Sequence, residues 1–94
     1  MKYDERVLNL SAFAKSLGHP ARVMILQYME EHSCCYVKEI VGFLPLAQST
    51  ISQHIKELKK SGLIESHNEG QKIRYCINWS KWQYAKALFN NIFM

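Results

Sequence analysis

Apolar side chains recur at helical spacing in three segments of the first half of the chain. In the first segment, positions three and four apart place one face of a helix over 3–17 at Tyr3, Val7, Leu10, Ala14 and Leu17. A second helix begins at Pro20, because the N–H that proline lacks has no partner in the first turn of a helix. Apolar residues surround this helix almost completely, so we expect it at the centre of the domain. A third, brief helix runs from Val37 to Leu44, and Pro45 stops it.

A fourth helix, predicted over about 48–60, carries its apolar residues in a single stripe. Ile51, Ile55 and Leu58 form this stripe, and the other sides of the helix carry glutamine, serine and lysine. Ser61 and Gly62 end the helix, where a terminal glycine is favoured. The pattern predicts a helix that packs by one face and presents a polar face outward.

A basic hairpin is predicted immediately after this helix, over 63–77. Its strands cover 63–67 and 72–77, and its turn at 68–71 includes Gly70, which tolerates a positive φ. In the second strand, alternation predicts that Ile73, Tyr75 and Ile77 pack against the domain. The opposite face, with Lys72, Arg74 and Cys76, is then free for solvent or phosphate.

The first and last predicted helices are more apolar than one packed face requires. Leu8 and Phe13 lie off the apolar face of the first helix. The last helix, over about 80–94, spreads large apolar residues over more than one face: Trp82, Tyr84, Leu88, Phe89, Ile92 and Phe93. An exposed surface of this kind calls for a partner. We therefore expect helices 3–17 and 80–94 to form the contact between two copies of the chain.

Length and composition narrow the class of protein further. The 94 residues, 48% apolar and 21% charged, suit one folded domain over 1–94. Three cysteines, an odd number, argue against a secreted disulfide framework, and neither a signal peptide nor a membrane-spanning run is apparent. We expect a cytoplasmic protein with reduced thiols and no membrane partner. Because no catalytic constellation is apparent, we also expect no enzymatic activity and no cofactor.

The order of these elements is that of a winged helix-turn-helix, a mainly α fold with a small antiparallel β wing. A helix fits the major groove of B-DNA, and a basic hairpin can lie along the flanking phosphates. The net charge of +4 permits such a polyanionic partner without requiring it. Double-stranded DNA is therefore the expected partner.

The chain also resembles the ArsR/SmtB-type winged-helix repressors over roughly 17–77. The resemblance rests on LGHPARVMIL, AQSTISQHIKELKKSGLIES and EGQKIRYCI. It implies a cytosolic homodimer, paired through its first and last helices, that binds a palindromic operator and represses transcription until an inducer binds. The sequence does not identify the inducer.

The resemblance assigns candidate DNA contacts position by position. In the fourth helix these are Gln48, Ser49, Thr50, Ser52, Gln53, His54 and Lys56; in the wing they are Lys72 and Arg74, with Asn68 and Gln71 beside them. Ala47 stands where the family usually has a helix-capping serine, which predicts either a start at Ser49 or an end that frays until DNA binds.

The metal-binding segment of the sensing members is altered in this chain. Tyr36 and Lys38 occupy the two cysteine places of their metal box, and neither side chain supplies a thiolate. The last helix contains neither the aspartate nor the histidine of the family's other common site. The sequence therefore predicts no metal site of the usual kinds.

The cysteines leave an alternative open. Cys34, Cys35 and Cys76 can be a thiol- or metalloid-responsive site or simple structural residues, and alternation along a strand places the first two on opposite faces. A winged helix that binds an acidic protein instead of DNA is a further alternative.

Overall fold

The computed structural model describes residues 2–94, in which five helices and three strands follow one another. The helices are α1 (Glu5–Ser16), α2 (Pro20–His32), α3 (Val37–Val41), α4 (Gln48–Lys60) and α5 (Trp79–Phe93). The strands are β1 (Cys34–Cys35), β2 (Ile64–Glu69) and β3 (Lys72–Ile77), in an antiparallel sheet of order β1-β3-β2. This arrangement confirms the mainly α fold with a small β wing.

The core is built around the apolar stripe of α4. Ile51 and Leu58 of this stripe are fully buried, as are Ile25 and Met29 of α2 and Ile40 of α3. Each buried aliphatic side chain contributes roughly 1.5–3 kcal/mol to folding through the apolar surface it removes from water. The helix-turn-helix pair α3 and α4 is therefore anchored on α2.

The buried face of α1 is rotated relative to the predicted one. Asp4 caps the helix by accepting a hydrogen bond from the Arg6 N–H, so the helix begins at Glu5 rather than at Tyr3. Val7 is 45% exposed, whereas Phe13 is only 5% exposed and meets the Tyr84 ring edge to face. The expectation for these two residues is wrong because α5 and α4 cover the side of α1 that carries Leu10, Phe13 and Ser16.

The second helix begins at Pro20, as the sequence predicts, but the rest of the domain does not cover it on all sides. Val23 and Met24 are exposed, while Ile25, Leu26 and Met29 lie in the core. The helix ends at His32, and the next residue, Ser33, adopts a φ of 69° and turns the chain into β1. The description of α2 as a wholly central helix is therefore wrong for the outward side of its first turns.

The first strand of the wing extends further toward the turn than the sequence predicts. Its β2 continues through Glu69, which pairs with Lys72, so that only Gly70 and Gln71 form the turn. Gly70 has the expected positive φ, 62°. At this projecting tip Ile73 is 44% exposed, in contrast to its predicted packing, while Cys76 at the base is buried. The alternation fails because the base of β3 is covered on both faces and its tip on neither.

Cysteine pairing also departs from expectation. Cys34 of β1 stands directly opposite Cys76 of β3, and the two form a disulfide, whereas Cys35 is free and buried. The expectation of three reduced thiols is wrong for this pair because the register of the sheet brings the two sulfurs together.

The chain ends in α5, which begins one residue earlier than predicted. The Asn78 side chain caps this helix by accepting a hydrogen bond from the Lys81 N–H. Within the described residues, no helix combines the length and apolar character needed to cross a membrane.

Candidate nucleic-acid interface

The polar face of α4 is the central feature of this surface. Because the stripe residues Ile51, Ile55 and Leu58 are buried, the remaining positions point away from the core. Six of the seven helix residues proposed from the sequence are exposed: Gln48, Ser49, Thr50, Ser52, Gln53 and Lys56. Their amides, hydroxyls and ammonium group are the kinds of side chain that bind base edges and phosphates.

The N-terminus of α4 lacks a side-chain cap. The helix begins at Gln48 and not at Ser49. Ala47 occupies the cap position, where its side chain makes no hydrogen bond and its carbonyl accepts from the N–H groups of Thr50 and Ile51. The first N–H groups of the helix therefore keep their partial positive charge for an outside acceptor.

His54 is the exception among the proposed helix contacts. Its side chain is 8% exposed and turns toward the start of α2, where its Nδ1 accepts a hydrogen bond of 3.1 Å from Arg22 Nε. Burial, and then the neighbouring His19 and Arg22, hold the pKa of His54 below its ordinary value. This position does not support the expected contact with DNA, and we leave His54 out of the proposed interface.

A groove of about 870 Å³ separates α4 from the wing. It contains Gln48 and Ser52 from α4, Gln71, Lys72 and Ile73 from the wing, and Tyr36 and Lys38 from the segment around α3. Asn68, Gln71 and Lys72 are exposed at the tip of the wing. The helix and the wing thus present their polar side chains on one concave side of the molecule.

Arg74 of the wing is not a free cation. Its Nε lies 3.5 Å from Glu69 Oε1, an ion-pair distance, yet this nitrogen is buried and makes no hydrogen bond within the described residues. The same Glu69 oxygen accepts a hydrogen bond of 2.7 Å from the Tyr36 hydroxyl, which raises the pKa of Tyr36. Lys72 completes this cluster with its ammonium 5.6 Å from the centre of the Tyr36 ring.

Tyr36 and Glu39 connect the wing with α2. The Tyr36 N–H and the Tyr28 hydroxyl both donate hydrogen bonds to the Glu39 carboxylate, and these two bonds lower the pKa of Glu39. Sequence reasoning noted Tyr36 only as a missing metal ligand and overlooked Glu39 and Glu69. The amino-acid sequence gives little indication of such contacts, because they join residues up to 33 positions apart.

The three cysteines do not form one site. Cys34 and Cys76 are joined at the base of the wing, whereas Cys35 faces the core, where burial raises the pKa of its thiol to about 12. Among residues 2–94, no group of three histidine, cysteine or carboxylate side chains is placed to hold a metal ion.

The chain is similar in sequence to known proteins. The sequence pattern described as "Bacterial regulatory protein, arsR family" matches residues 19–66. The chain is 32% identical over 78 residues to the transcriptional repressor PagR of Bacillus anthracis, covering 83% of this chain and 78% of PagR.

Solved structures show the same fold. The crystal structure of PagR superposes with a TM-score of 0.70 at 25% identity and covers 86% of this chain and 94% of PagR. HlyU from Vibrio cholerae superposes with a TM-score of 0.75 at 22% identity, and the match covers 97% of this chain and 98% of HlyU.

The contacts of Glu69 with Arg74 and Tyr36, together with Lys72, form what we call the Glu69 cluster, and its charge leads to a testable prediction. We expect Glu69→Gln to strengthen binding to duplex DNA of any sequence, by about threefold at low salt. The substitution removes the carboxylate charge beside Arg74, which would repel DNA phosphates, and keeps an oxygen for the Tyr36 hydroxyl. One exposed charge interaction is worth a few tenths to about 1 kcal/mol. Fluorescence anisotropy with labelled duplexes measures the effect.

Glu65→Gln, the same charge change in an exposed carboxylate of β2, is the matched control and should give a smaller gain. Equal gains in the two variants would show that Glu69 restrains Arg74 no more than any nearby carboxylate does.

Proposed function

Because this chain belongs to the arsR family of bacterial regulatory proteins, we propose that it represses transcription as a homodimer bound to an inverted-repeat operator. Family membership makes the chain a DNA-binding transcriptional regulator. We further propose that it acts as a repressor, that two copies pair, and that α4 and the wing contact the DNA. Proteins of this family regulate transcription, and we assign no enzymatic reaction to the chain.

The observation that carries the proposal is the division of α4 into two faces. Its stripe is buried in the core. Gln48, Ser52, Gln53 and Lys56 are exposed, and the first two line the groove beside the wing. In this proposal the polar face enters the major groove and reads base edges. Lys72, and Arg74 once Glu69 releases it, bind the flanking phosphates.

Pairing of two copies is supported by apolar surface on α1 and α5. These helices border a groove of about 420 Å³ whose lining is mostly apolar, with Leu10, Phe13, Leu17, Trp82 and Phe89 among its residues. Around it Leu8 is half exposed, and Phe89 and Phe93 are more exposed still. A second copy that packs α1 and α5 against the same helices removes this surface from water.

Two-fold pairing determines the form of the operator. Two copies related by a two-fold axis present two reading helices in opposite directions, which suits an inverted repeat. The half-site centres should then lie about 34 Å apart, one turn of B-DNA.

The test begins with duplexes that the wild-type protein selects from random DNA. We expect an inverted repeat, and binding that weakens with salt at a log–log slope of about 0.9 per phosphate neutralised. The double variant Gln53→Ala with Lys56→Ala should bind the operator at least about tenfold more weakly, since a bidentate base contact alone is worth roughly 1–3 kcal/mol. Gel shift across a salt series measures both quantities.

A second double variant, Gln27→Ala with Lys2→Ala, removes the same types of side chain at exposed positions outside α4. It should bind as the wild type does. Unchanged operator affinity in the α4 variant would mean that another surface reads the DNA.

A thiol-responsive form of this repressor is a second candidate, and the Cys34–Cys76 disulfide favours it. The bond joins β1, which leads into α3, to β3 of the wing. Tyr36 follows Cys34 by two residues and Arg74 precedes Cys76 by two, so the bond adjoins the Glu69 cluster. In the proposed step a hydroperoxide accepts two electrons from the two thiols, giving the disulfide, water and an alcohol. A dithiol then returns the protein to its reduced form by thiol–disulfide exchange and is itself oxidised to a disulfide.

We expect the oxidised protein, with its wing fixed and Arg74 held beside Glu69, to bind the operator at least about fivefold more weakly than the reduced protein, at the lower end of usual coupling between sites. In Cys34→Ser the difference between oxidised and reduced samples should vanish. Cys35→Ala is the control and should keep it. Equal affinities of oxidised and reduced wild type would exclude this candidate and leave the repressor proposal intact.

A further inference from the structure

The inward-facing histidine of the reading helix belongs to a polar contact between three segments. Arg22, near the start of α2, donates from Nε to His54 Nδ1 at 3.1 Å. The same guanidinium donates from Nη1 to the carbonyls of Lys15 and Ser16, both at 3.3 Å. One rigid planar group therefore connects the last turn of α1 with the middle of α4.

His19 completes what we call the His19–Arg22–His54 cluster. Its ring centre lies 4.3 Å from that of His54, and its Nδ1 accepts from the Ala21 N–H as the cap of α2. The hydrogen bond from Arg22 requires an unprotonated Nδ1 on His54, which leaves the ring proton on Nε2. Arg22 and His54 are thus hydrogen-bonded across two helices, and His19 adds a ring contact to His54.

A parallel set of contacts attaches the same end of α1 to the end of α4. The Ser16 hydroxyl donates to the Glu57 carbonyl at 3.1 Å, and the Ser61 hydroxyl donates to Ser16 Oγ at 2.8 Å. Ser16 is buried, although serine is mostly found at protein surfaces. The end of α1 is therefore held against α4 by directional bonds as well as by apolar packing.

Directional bonds constrain a helix differently from apolar contacts. Apolar burial depends on area and not on direction, so Ile51, Ile55 and Leu58 keep α4 in the core without setting its rotation finely. Hydrogen bonds weaken steeply when their angle changes. A bond from Arg22 to the middle of α4 consequently resists rotation of this helix about its axis.

We propose that Arg22 and His54 are positioning residues that fix the orientation of α4 relative to α1 and thereby the separation of the two reading helices in the dimer. The inference rests on the proposed function, in which α1 contributes to pairing and α4 reads DNA. Neither residue contacts DNA. Their effect is on which spacing of half-sites the dimer accepts.

The test compares His54→Leu with His54→Asn. Leucine fills the space but removes the acceptor for Arg22 Nε, whereas asparagine keeps an acceptor oxygen near the place of Nδ1. The duplexes are the operator selected by the wild-type protein, two versions with half-sites moved one base pair closer or farther apart, and a random sequence. Anisotropy gives all four affinities, and circular dichroism reports folding.

We expect His54→Leu to lose about tenfold in operator affinity, the loss expected of a hydrogen bond to a charged group. It should also lose its preference among the three spacings, while binding random DNA within about twofold of wild type. His54→Asn should restore both operator affinity and spacing preference. General destabilisation would weaken all four complexes together and would not alter the order of the spacings.

His32→Leu, the same change at an exposed histidine of α2, is the control and should behave as the wild type does. A folded His54→Leu that keeps wild-type affinity and spacing preference overturns the inference, as does a His54→Asn that fails to restore them.

If His54→Leu does not fold, Arg22→Lys takes its place. Lysine keeps the charge but cannot bind His54 of α4 and the carbonyls at the end of α1 at the same time. Retained spacing preference in Arg22→Lys then overturns the inference. A wild-type protein that selects no operator contradicts the proposed function instead.

Discussion

Burial of the Ile51, Ile55 and Leu58 stripe is the interaction on which the rest of this surface depends. These three side chains attach α4 to α2 and α3, and everything on the opposite side of the helix is exposed as a consequence. An amphipathic helix that packs by one stripe presents its opposite side to solvent. The wing then follows directly from the end of α4, where Gly62, at a φ of 83°, and buried Leu63 redirect the chain into β2.

The positive charge of this surface is partly neutralised by a carboxylate. Glu69 holds Arg74 and Tyr36 together beside the groove, so part of the positive charge of the wing is neutralised in the free protein. Lys56 and Lys72 remain exposed. A net charge of only +4 is compatible with DNA binding when the cations are gathered on one side, and the proposed pairing would double them.

Features governed by short-range periodicity were predictable from the sequence. The span of α4 and its buried stripe follow from the spacing of three apolar residues, and the hairpin turn from Gly70. Alternation predicted the strands of the wing but not the exposure of Ile73 or the burial of Cys76. The rotation of α1 was not predictable, since both Val7 and Phe13 fit a helix, and the positions of α4 and α5 decide which is buried. The same holds for His54, whose partner Arg22 lies 32 residues away, and for Cys34, whose pairing with Cys76 depends on the register of the sheet.

The division of α4 into a buried and a DNA-reading face is the central claim, and residue-resolved NMR tests it most directly. Amide and side-chain signals would be followed while the selected operator is added to isotopically labelled protein. The account predicts the largest shifts at Gln48, Ser52, Gln53 and Lys56 and at Lys72 of the wing, with His54 Nδ1 remaining unprotonated throughout. Shifts concentrated on α1 and α5, with α4 unperturbed, would contradict it.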